Sequence, residues 1–348
     1  LTKGQVMWVP LHVHSEFSIL DATATVQGIA EKAASFGMPA VALTDHGNLY
    51  GAVDFYKACK EAKLKPLLGC ELYVAPESRL EKKKEYGQRT SYHLGLIAKN
   101  KKGYQNLCKL SSIGFLEGFY YNPRIDEEIL FKHSEGLICL SGCMNSKVSQ
   151  EALNNSKESF LKTIQKYREV FGEDYYLELQ RHPMSAEDMQ SDGLYQESWL
   201  LQYYQDYIDN QNKLNHLLLE ASQLLNIKVI ATNDSHFIER NDWRAHEILL
   251  NVQSGEPCEL LETDAFGNPK RRIPNPKRRT YPSHECYFKS PEQMQALFKD
   301  IPEALSNTLE IAEKLLKEFE KLCAPSKEMH GKIQYVEVTT SNSTYYLS

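Results

Sequence analysis

Short apolar segments alternate with longer amphipathic segments along roughly the first 250 residues of the chain. The apolar segments are bounded by Gly, Pro, Asn or Asp, a pattern that predicts strands. The predicted strands span residues 8–14, 39–44, 65–74, 92–98, 136–141, 175–180 and 228–233. Amphipathic stretches such as 26–37, which ends in a glycine suited to a helix cap, predict helices between them. The alternation predicts parallel strands joined by crossover helices.

Seven such strands favour a (β/α) barrel over an open sheet, although their spacing alone leaves a doubly wound sheet open. The pattern changes after residue 250. Residues 251–289 are predicted to be a loop region, with a basic cluster at 269–280. A serine N-cap followed by proline opens a predicted helix at 290–298, and 301–320 predicts a second. We therefore divide the chain into an upstream extension (1–6), an α/β barrel (7–250), this loop region, a helical connection (290–322) and a tail (323–348).

The composition indicates where in the cell the protein is located and which classes of partner it can bind. The eight cysteines are scattered and form no C-x-x-C pair, which argues against a zinc ribbon and a secreted disulfide scaffold. No apolar run approaches the roughly 18 residues that cross a bilayer, so no membrane partner is expected. The chain opens without a signal-peptide core, which predicts a cytoplasmic location. The net charge of −6 gives no global attraction to nucleic acid, so any DNA contact must be local.

Ligand-type side chains collect at the ends of the predicted strands. The first strand carries His12 and His14, whose i, i+2 spacing places them on one side about 6.6 Å apart. Because the C-terminal strand ends of a parallel barrel meet at one face, side chains at those ends can converge there. The other residues of this kind are Asp21, His46, Glu71, His93, Cys143, Asp234 and His236.

Each of these residues has an ordinary structural alternative, such as a paired core carboxylate or a helix cap, but their joint placement predicts a metal site. Nine ligands exceed what one zinc ion takes, so three ions, or two ions with supporting residues, fit the number. Mixed His, carboxylate and thiolate ligands favour zinc, manganese or iron over magnesium. Closely spaced metal ions of this kind predict hydrolysis of a phosphate ester.

Several stretches resemble the PHP (polymerase and histidinol phosphatase) domain, and more narrowly the N-terminal PHP domain of bacterial replicative DNA polymerase III alpha subunits. The resemblance covers about residues 7–320. It rests on L-H-V-H-S-E-F-S-I-L-D, M-P-A-V-A-L-T-D-H-G-N-L-Y-G-A-V-D-F-Y-K, K-P-L-L-G-C-E-L-Y-V-A-P, G-F-Y-Y-N-P-R-I-D, A-T-N-D-S-H-F and A-L-S-N-T-L-E-I-A-E. It implies a distorted (β/α)7 TIM-like barrel followed by a short helical connection.

The resemblance implies that all nine positions are catalytic metal ligands, holding up to three divalent ions with zinc favoured. Glu71 would bridge two of them. The implied partition assigns His12, His14 and Asp234 to one ion, His93 and Cys143 to a second, and Asp21, His46 and His236 to a third. The implied activity is metal-dependent 3′–5′ removal of nucleotides from a primer end. The implied partners are DNA, the remainder of the polymerase alpha subunit and the proofreading exonuclease subunit.

Three further residues are predicted phosphate contacts, because guanidinium groups pair well with phosphate oxygens. They are Arg124, Arg181 and His182, with surface ion pairs as the alternative. For the basic cluster at 269–280, a solvated loop is favoured over contact with backbone phosphates.

The chain departs from the family at both ends. Met7 stands where an initiator is expected, and the tail from Cys323 does not resemble the family's continuation. We therefore expect a fragment, with a frame change near Lys321, that lacks the polymerase active site and does not polymerise DNA alone. Two alternatives remain at this point. One is a non-catalytic module that stabilises the polymerase and docks the exonuclease subunit. The other is a histidinol-phosphatase-like phosphoesterase, which would not need the segment 290–320.

Overall fold

The computed structural model describes residues 8–83, 87, 89–191, 198–323, 336–340 and 343–347. Its helices are Val26–Ser35 (α1), Ala52–Glu61 (α2), Lys101–Leu116 (α3), Glu127–Lys132 (α4), Lys147–Asn154 (α5), Lys157–Phe171 (α6), Ala186–Ser191 (α7), Ser198–Leu225 (α8), Trp243–Ser254 (α9), Pro291–Leu297 (α10) and Pro302–Cys323 (α11). Two 3₁₀ turns span Gly172–Asp174 and Arg240–Asp242. In the part of the chain described, no helix is both long and apolar enough to cross a membrane.

The strands form one large curled sheet and two small hairpins. The large sheet contains Ala40–Leu43 (β1), Lys65–Val74 (β2), Tyr92–Ala98 (β3), Arg124–Ile125 (β4), Leu137–Leu140 (β5), Tyr175–Gln180 (β6) and Val229–Thr232 (β7). Its order is β1-β2-β3-β5-β6-β7, with β4 beside β2. Glu259–Thr263 (β8) pairs with Pro269–Pro274 (β9), and Val336–Thr340 (β10) pairs with Ser343–Leu347 (β11).

Residues 8–14 connect the two edges of the curled sheet and make it a distorted barrel. The carbonyl of Pro10 accepts from the Ala42 amide of β1, at one edge of the sheet, and the Ser235 amide beyond β7, at the other edge, donates to the His12 carbonyl. The predicted strand at 8–14 is nevertheless wrong as regular structure, since only Val13 forms a bridge, with Ser235. Pro10 has no amide proton, and the Val13 amide donates to the Thr44 hydroxyl instead of a backbone carbonyl.

Strand β3 corrects the expectation of an all-parallel sheet. It runs antiparallel to both of its neighbours, β2 and β5, while the β1–β2, β2–β4, β5–β6 and β6–β7 pairs are parallel. The physical reason is the connection between β2 and β3, residues 75–91, in which the described residues form no crossover helix. Without a crossover, the chain reverses and pairs with the strand it has just left. The start of β3 therefore lies at the barrel end where its parallel neighbours finish.

The interior of the barrel is apolar and is closed at one end by α11. Inward-facing strand residues such as Leu11, Ala42 and Leu140 pack in one cluster with Ile311 and Leu315 of α11. Polar contacts fix the same helix. The Thr308 hydroxyl accepts from the Val9 amide at 3.0 Å, and the Asn307 amide donates to the carbonyl of Val229, the first residue of β7, at 2.8 Å. Helix α11 thus covers the end where the parallel strands begin, opposite to their C-terminal ends.

Part of the predicted loop region forms a hairpin instead. Strands β8 and β9 pair antiparallel, and the turn between them is held by the Asp264 carboxylate, which accepts from the amides of Phe266 and Asn268. The basic residues of β9 lie opposite acidic residues of β8. Arg271 is 2.6 Å from the Glu262 carboxylate. The sequence pattern did not reveal this strand pair, because its mostly exposed residues do not alternate between apolar and polar and form almost no buried apolar face.

Candidate metal centre

All nine sequence-predicted ligand residues lie together at the barrel end opposite α11. Most follow the C-terminal ends of parallel elements, where the chain leaves the sheet. His93 lies near the start of β3, and it reaches the same end because β3 is antiparallel. His12, His14 and Asp234 meet at the seam where residues 8–14 pair with the segment beyond β7. The fold therefore gathers residues that are up to 224 positions apart in sequence, as His12 and His236 are.

Glu71 occupies the middle of this cluster. Its Oε1 is 3.3 Å from His12 Nε2 and 3.5 Å from Cys143 Sγ. Its Oε2 is 2.9 Å from His46 Nδ1 and 3.1 Å from His93 Nδ1. Each carboxylate oxygen thus faces a different pair of ligand atoms, which is the arrangement that a bridging carboxylate needs.

The deepest part of the cluster consists of two histidines and one aspartate. His12 Nε2 and His14 Nε2 are 3.1 Å apart, and Asp234 Oδ1 is 3.2 Å and 3.3 Å from them. Asp234 has a φ of +47°, in the left-handed region that Asp tolerates better than most residues.

The outer part of the cluster contains the remaining ligand types. Asp21 Oδ2 is 2.7 Å from His46 Nε2 and 3.5 Å from His236 Nε2. On the other side of Glu71, Cys143 Sγ is 3.6 Å from His93 Nδ1. Asp21 and His46 remain partly open to solvent, so this part of the cluster lies at the mouth of the site.

Hydrogen bonds orient three of the histidines with one ring nitrogen toward the centre. His12 Nδ1 donates to Glu178 at 2.6 Å, and His236 Nδ1 donates to the Asp234 carbonyl at 2.8 Å. His14 Nδ1 lies 3.0 Å from the Ser18 hydroxyl, which gives its own proton to Asp45 and therefore accepts from the histidine. In each ring the Nε2 atom is left to face the cluster, as in metal-binding histidines.

Burial and mutual charge set the protonation of the cluster. Burial, together with the neighbouring His46 and His236, lowers the pKa of His14 to about 3. Burial alone would raise the pKa of Glu71, but the adjacent His93 and His12 hold it well below its usual range. Burial and the Glu71 and Asp234 charges raise the pKa of the Cys143 thiol well above its ordinary value. A thiolate at Cys143 therefore requires a compensating cation.

The residues present fit a set of divalent cations. Among the described residues, His46 Nδ1, Glu71 Oε2 and Asp234 Oδ1 are buried atoms of the cluster without a hydrogen-bond partner. Unpaired buried polar atoms are costly, and a cation among them removes that cost. Three sets of donor atoms lie within 4.8 Å of one another: His12, His14 and Glu71; His14, His46 and His236; His46, Glu71 and His93.

Comparison with known proteins agrees with this geometry. Residues 10–182 match the PHP domain family. A DNA polymerase III subunit alpha from Chlamydia pneumoniae is 53% identical over 307 residues, which cover 88% of this chain and 24% of that protein. The subunit of the same name from Borreliella burgdorferi is 41% identical over 307 residues, covering 88% of this chain and 23% of that protein. The chain carries a PHP domain and is homologous to DNA polymerase III alpha subunits.

The resemblance stated from the sequence is thereby confirmed. The chain spans about a quarter of the length of the curated relatives it matches. Among solved structures, one from Bacteroides vulgatus is described as a two-domain protein containing a predicted PHP-like metal-dependent phosphoesterase. It aligns over 95% of this chain and 74% of that chain, with 13% identity and a TM-score of 0.37.

The cluster also contacts an acidic residue that the sequence did not single out. Glu178, in β6, is buried and accepts from His12 Nδ1, from the Thr232 hydroxyl at 2.5 Å and from the Gln180 amide at 3.0 Å. It thereby fixes the tautomer of His12. A signal was present, because Glu178 is an acidic residue inside an otherwise apolar strand, as Glu71 is.

Two other supporting residues had no comparable signal. The Tyr281 hydroxyl is 3.1 Å from His236 Nε2, and His246 Nε2 is 2.7 Å from the Asp21 carbonyl. Both residues lie beyond the last strand of the PHP barrel, in segments whose sequence pattern does not reveal that they fold back over its open end.

The three predicted phosphate contacts lie outside the metal cluster. Arg124 is buried and donates to the backbone carbonyls of Gly118, Thr90, Arg79 and Glu81 at 2.7–3.3 Å. Arg181 pairs with Asp300 at 2.6 Å. His182 contacts the Tyr207 hydroxyl and the Asn233 carbonyl, both at 2.9 Å. Each of the three side chains is engaged by other groups of the protein, and their phosphate roles stay predictions.

Proposed function

We propose that this PHP domain binds up to three divalent ions, with zinc favoured, and hydrolyses phosphodiester bonds at the 3′ end of DNA. The observation that carries the proposal is the convergence of eight ligand-type side chains around Glu71, with unpaired buried atoms between them. Soft and borderline donors, the Cys143 sulfur and the imidazoles, favour zinc over magnesium. The cluster opens into a cavity of about 670 Å³, large enough for a phosphodiester and its neighbours.

In this function, some residues of the chain would hold the ions and others would orient the residues that hold them. His12, His14 and Asp234 would hold one ion, His93 and Cys143 a second, and Asp21, His46 and His236 a third, with Glu71 between ions. When bound, the ions supply Lewis acidity toward phosphoryl oxygens and lower the pKa of water. Glu178, Ser18 and the Asp234 carbonyl orient the imidazoles, so that these ligands need no reorganisation during the reaction.

The wider role follows from homology. The curated relatives are DNA polymerase III alpha subunits, so we propose that this domain acts beside a polymerase during DNA replication, in the cytoplasm. Its partners would be the primer 3′ end, the remainder of the alpha subunit and the proofreading exonuclease subunit. Cleavage in the 3′–5′ direction would let the domain remove nucleotides that the polymerase has added.

The test is release of nucleotides from a 3′-labelled primer by the purified chain, supplied with zinc or manganese. The control is the Asp21→Asn, His46→Ala double variant, which alters two ligands at the mouth of the site. Metal-dependent loss of 3′ nucleotides by the parent chain, abolished in the double variant, is the expected result. No cleavage by protein shown to hold its metals would contradict the proposal and favour the non-catalytic module. Hydrolysis of small phosphate monoesters alone would favour the histidinol-phosphatase-like alternative.

A further inference from the structure

A second cavity adjoins the metal centre and is larger than the one that holds it. It has a volume of about 730 Å³, and we call it the side cavity. The two cavities share the lining residues Cys143, Asn145, Asp234, Arg279 and Tyr281, so they meet at the metal ligands. The volume lies within the range of about 300–1,000 Å³ that is typical of small-molecule sites.

One wall of the side cavity is an aromatic stripe on α8. Trp199, Tyr203 and Tyr207 follow one another at intervals of four residues, which places them on one face of the helix. Such a stripe usually belongs to a hydrophobic core. Here, however, Trp199 is 39% and Tyr203 is 41% exposed. Tyr207 is held in place by its hydroxyl contact with His182, on whose ring it stacks with the two planes 5° apart.

The polar lining has the composition of a nucleotide site. Asn145, Gln150, Asn154, Gln180 and Asn210 contribute amides to the lining. The NH2 groups of Gln150, Asn154 and Gln180 donate to Met144, Gln150 and Glu178, so these three side chains offer a base their amide oxygens as acceptors. Arg89 and Arg279 add positive charge. Among the described lining residues, the one carboxylate is that of Asp234, which belongs to the cluster. Apart from Asp234, none of these described residues carries a negative charge that would repel a phosphate.

We propose that the side cavity binds the base and sugar of the terminal nucleotide of the DNA strand, while its phosphodiester lies at the metal centre. The base stacks on Tyr203, and the amide of Asn210 and the amide oxygen of Asn154 face its edge. Arg279, which lines both cavities, contacts the phosphate between them. This inference rests on the proposed function and adds to it the place of the nucleoside, which makes the substrate a nucleotide chain and not any phosphodiester.

Binding of a product-like ligand tests the inference without turnover. The zinc-loaded chain is titrated with deoxyadenosine 5′-monophosphate and, separately, with deoxyribose 5-phosphate, which lacks the base. We expect the nucleotide to bind about tenfold more tightly, within the range given by one base–aromatic stack. Tyr203→Ala should remove this preference, whereas Tyr203→Phe should retain it. Phe266→Ala, at a side chain that is 91% exposed in the β8–β9 turn, is the matched control and should change nothing.

The outcomes separate this inference from the proposed function. Equal affinity for the two ligands, or an unchanged preference in Tyr203→Ala, would overturn the side cavity as the nucleoside site. Hydrolysis of bis(p-nitrophenyl) phosphate, which has neither base nor sugar, reports on the metal centre alone. Hydrolysis of that compound without a base preference would leave the proposed function standing and this inference refuted. Absence of both hydrolysis and binding would refute the two together.

Discussion

The two ends of the barrel are built from the same strands but bury different kinds of side chain. The closed end buries apolar groups, and the open end buries charged ones. At the closed end, Ile311, Ala312 and Leu315 of α11 pack on apolar strand residues, and Thr308 and Asn307 of the same helix form hydrogen bonds to backbone groups. At the open end, the same sheet buries His12, His14, Glu71 and Glu178 within a few ångströms of one another. Burial of apolar area stabilises the first end directly. Burial of charge destabilises the second end unless opposite charges or cations compensate.

The comparison indicates that the residues that stabilise the fold and the residues of the candidate site lie at opposite ends of the barrel axis. The closed end can lose packing and keep its function as long as the chain folds. We expect the open end to keep its fold when a single charge is neutralised, because other residues form α11 and the apolar interior. Four substitutions test this separation.

The largest effect is expected from Glu71→Gln. The amide keeps the size of the side chain but removes the charge that faces His12, His46 and His93. We expect loss of bound metal and a drop in phosphodiester hydrolysis of more than about 100-fold, beyond the effect of changing a supporting residue. Metal content by mass spectrometry and initial rates measure it. Glu61→Gln, on the exposed end of α2, is the control, and retained metal in Glu71→Gln would refute a bridging role.

At the closed end, Ile311→Ala should cost about 2–5 kcal/mol of unfolding free energy, since it leaves a cavity in the barrel interior. Denaturant unfolding measures this cost. The same change at Ile248, which is 58% exposed on α9, should stay within about 0.5 kcal/mol. Activity per folded molecule should be unchanged in Ile311→Ala. A loss of metal in this variant would mean that the two ends are coupled.

Glu178→Gln should have an intermediate effect at the open end. The side chain still fits, but the charge that holds the His12 tautomer is gone. We expect metal affinity to fall by about 10–100-fold, as for other partners of ligating histidines. Competition with a chelator measures the affinity. Asp126→Asn, at the N-cap of α4 and away from the metal ligands, should leave it unchanged. Equal affinities in the two variants would remove Glu178 from the metal centre.

The smallest effect on stability is expected when the charge of Glu127, an ion-paired carboxylate outside the barrel interior, is removed. Burial would raise the pKa of Glu127, but hydrogen bonds from Lys147 and Lys166 lower it overall. Because the folded pKa lies below the unfolded one, the contribution to stability is present above about pH 4.5 and is lost as pH falls through the folded pKa.

Glu127→Gln should therefore remove roughly 1 kcal/mol near pH 7 and flatten the loss of stability toward acid. Urea unfolding at several pH values measures it, with the neighbouring exposed Glu128→Gln as control. Identical pH profiles for the two variants would contradict the assignment. Metal binding should be unaffected, in contrast to Glu178→Gln.

The sequence predicted most elements of the fold because their apolar patterns are local. Helix α1 begins after the Thr25 cap and ends beside Gly37, and α10 begins with the predicted Ser290 cap and proline. The direction of β3 was not predictable, since a strand reads the same in either direction and only the connection at 75–91 decides its pairing. The hairpin at 259–274 was hidden because its exposed, charged strands lack alternation.

The candidate site likewise has features that the sequence predicted and features that it did not. Residues with an unusual local setting, such as the histidine pair in an apolar segment or Glu71 inside a strand, were found from the sequence, and the fold brings them together. Arg124 has the residue type of a phosphate ligand, yet its guanidinium holds backbone carbonyls. Residue type shows what a side chain can bind, and only its surroundings show which groups are within reach.

By itself, then, the sequence determined the order of the elements, the family and the set of ligand-type residues, because these depend on local pattern and residue chemistry. The tertiary structure decided three further features. Residues 8–14 close the barrel, α11 covers one end, and antiparallel β3 places His93 at the other end. It also decided which groups support the site, such as Glu178 behind His12. The physical reason is that burial, charge pairing and ligand geometry depend on distances between residues far apart in the chain.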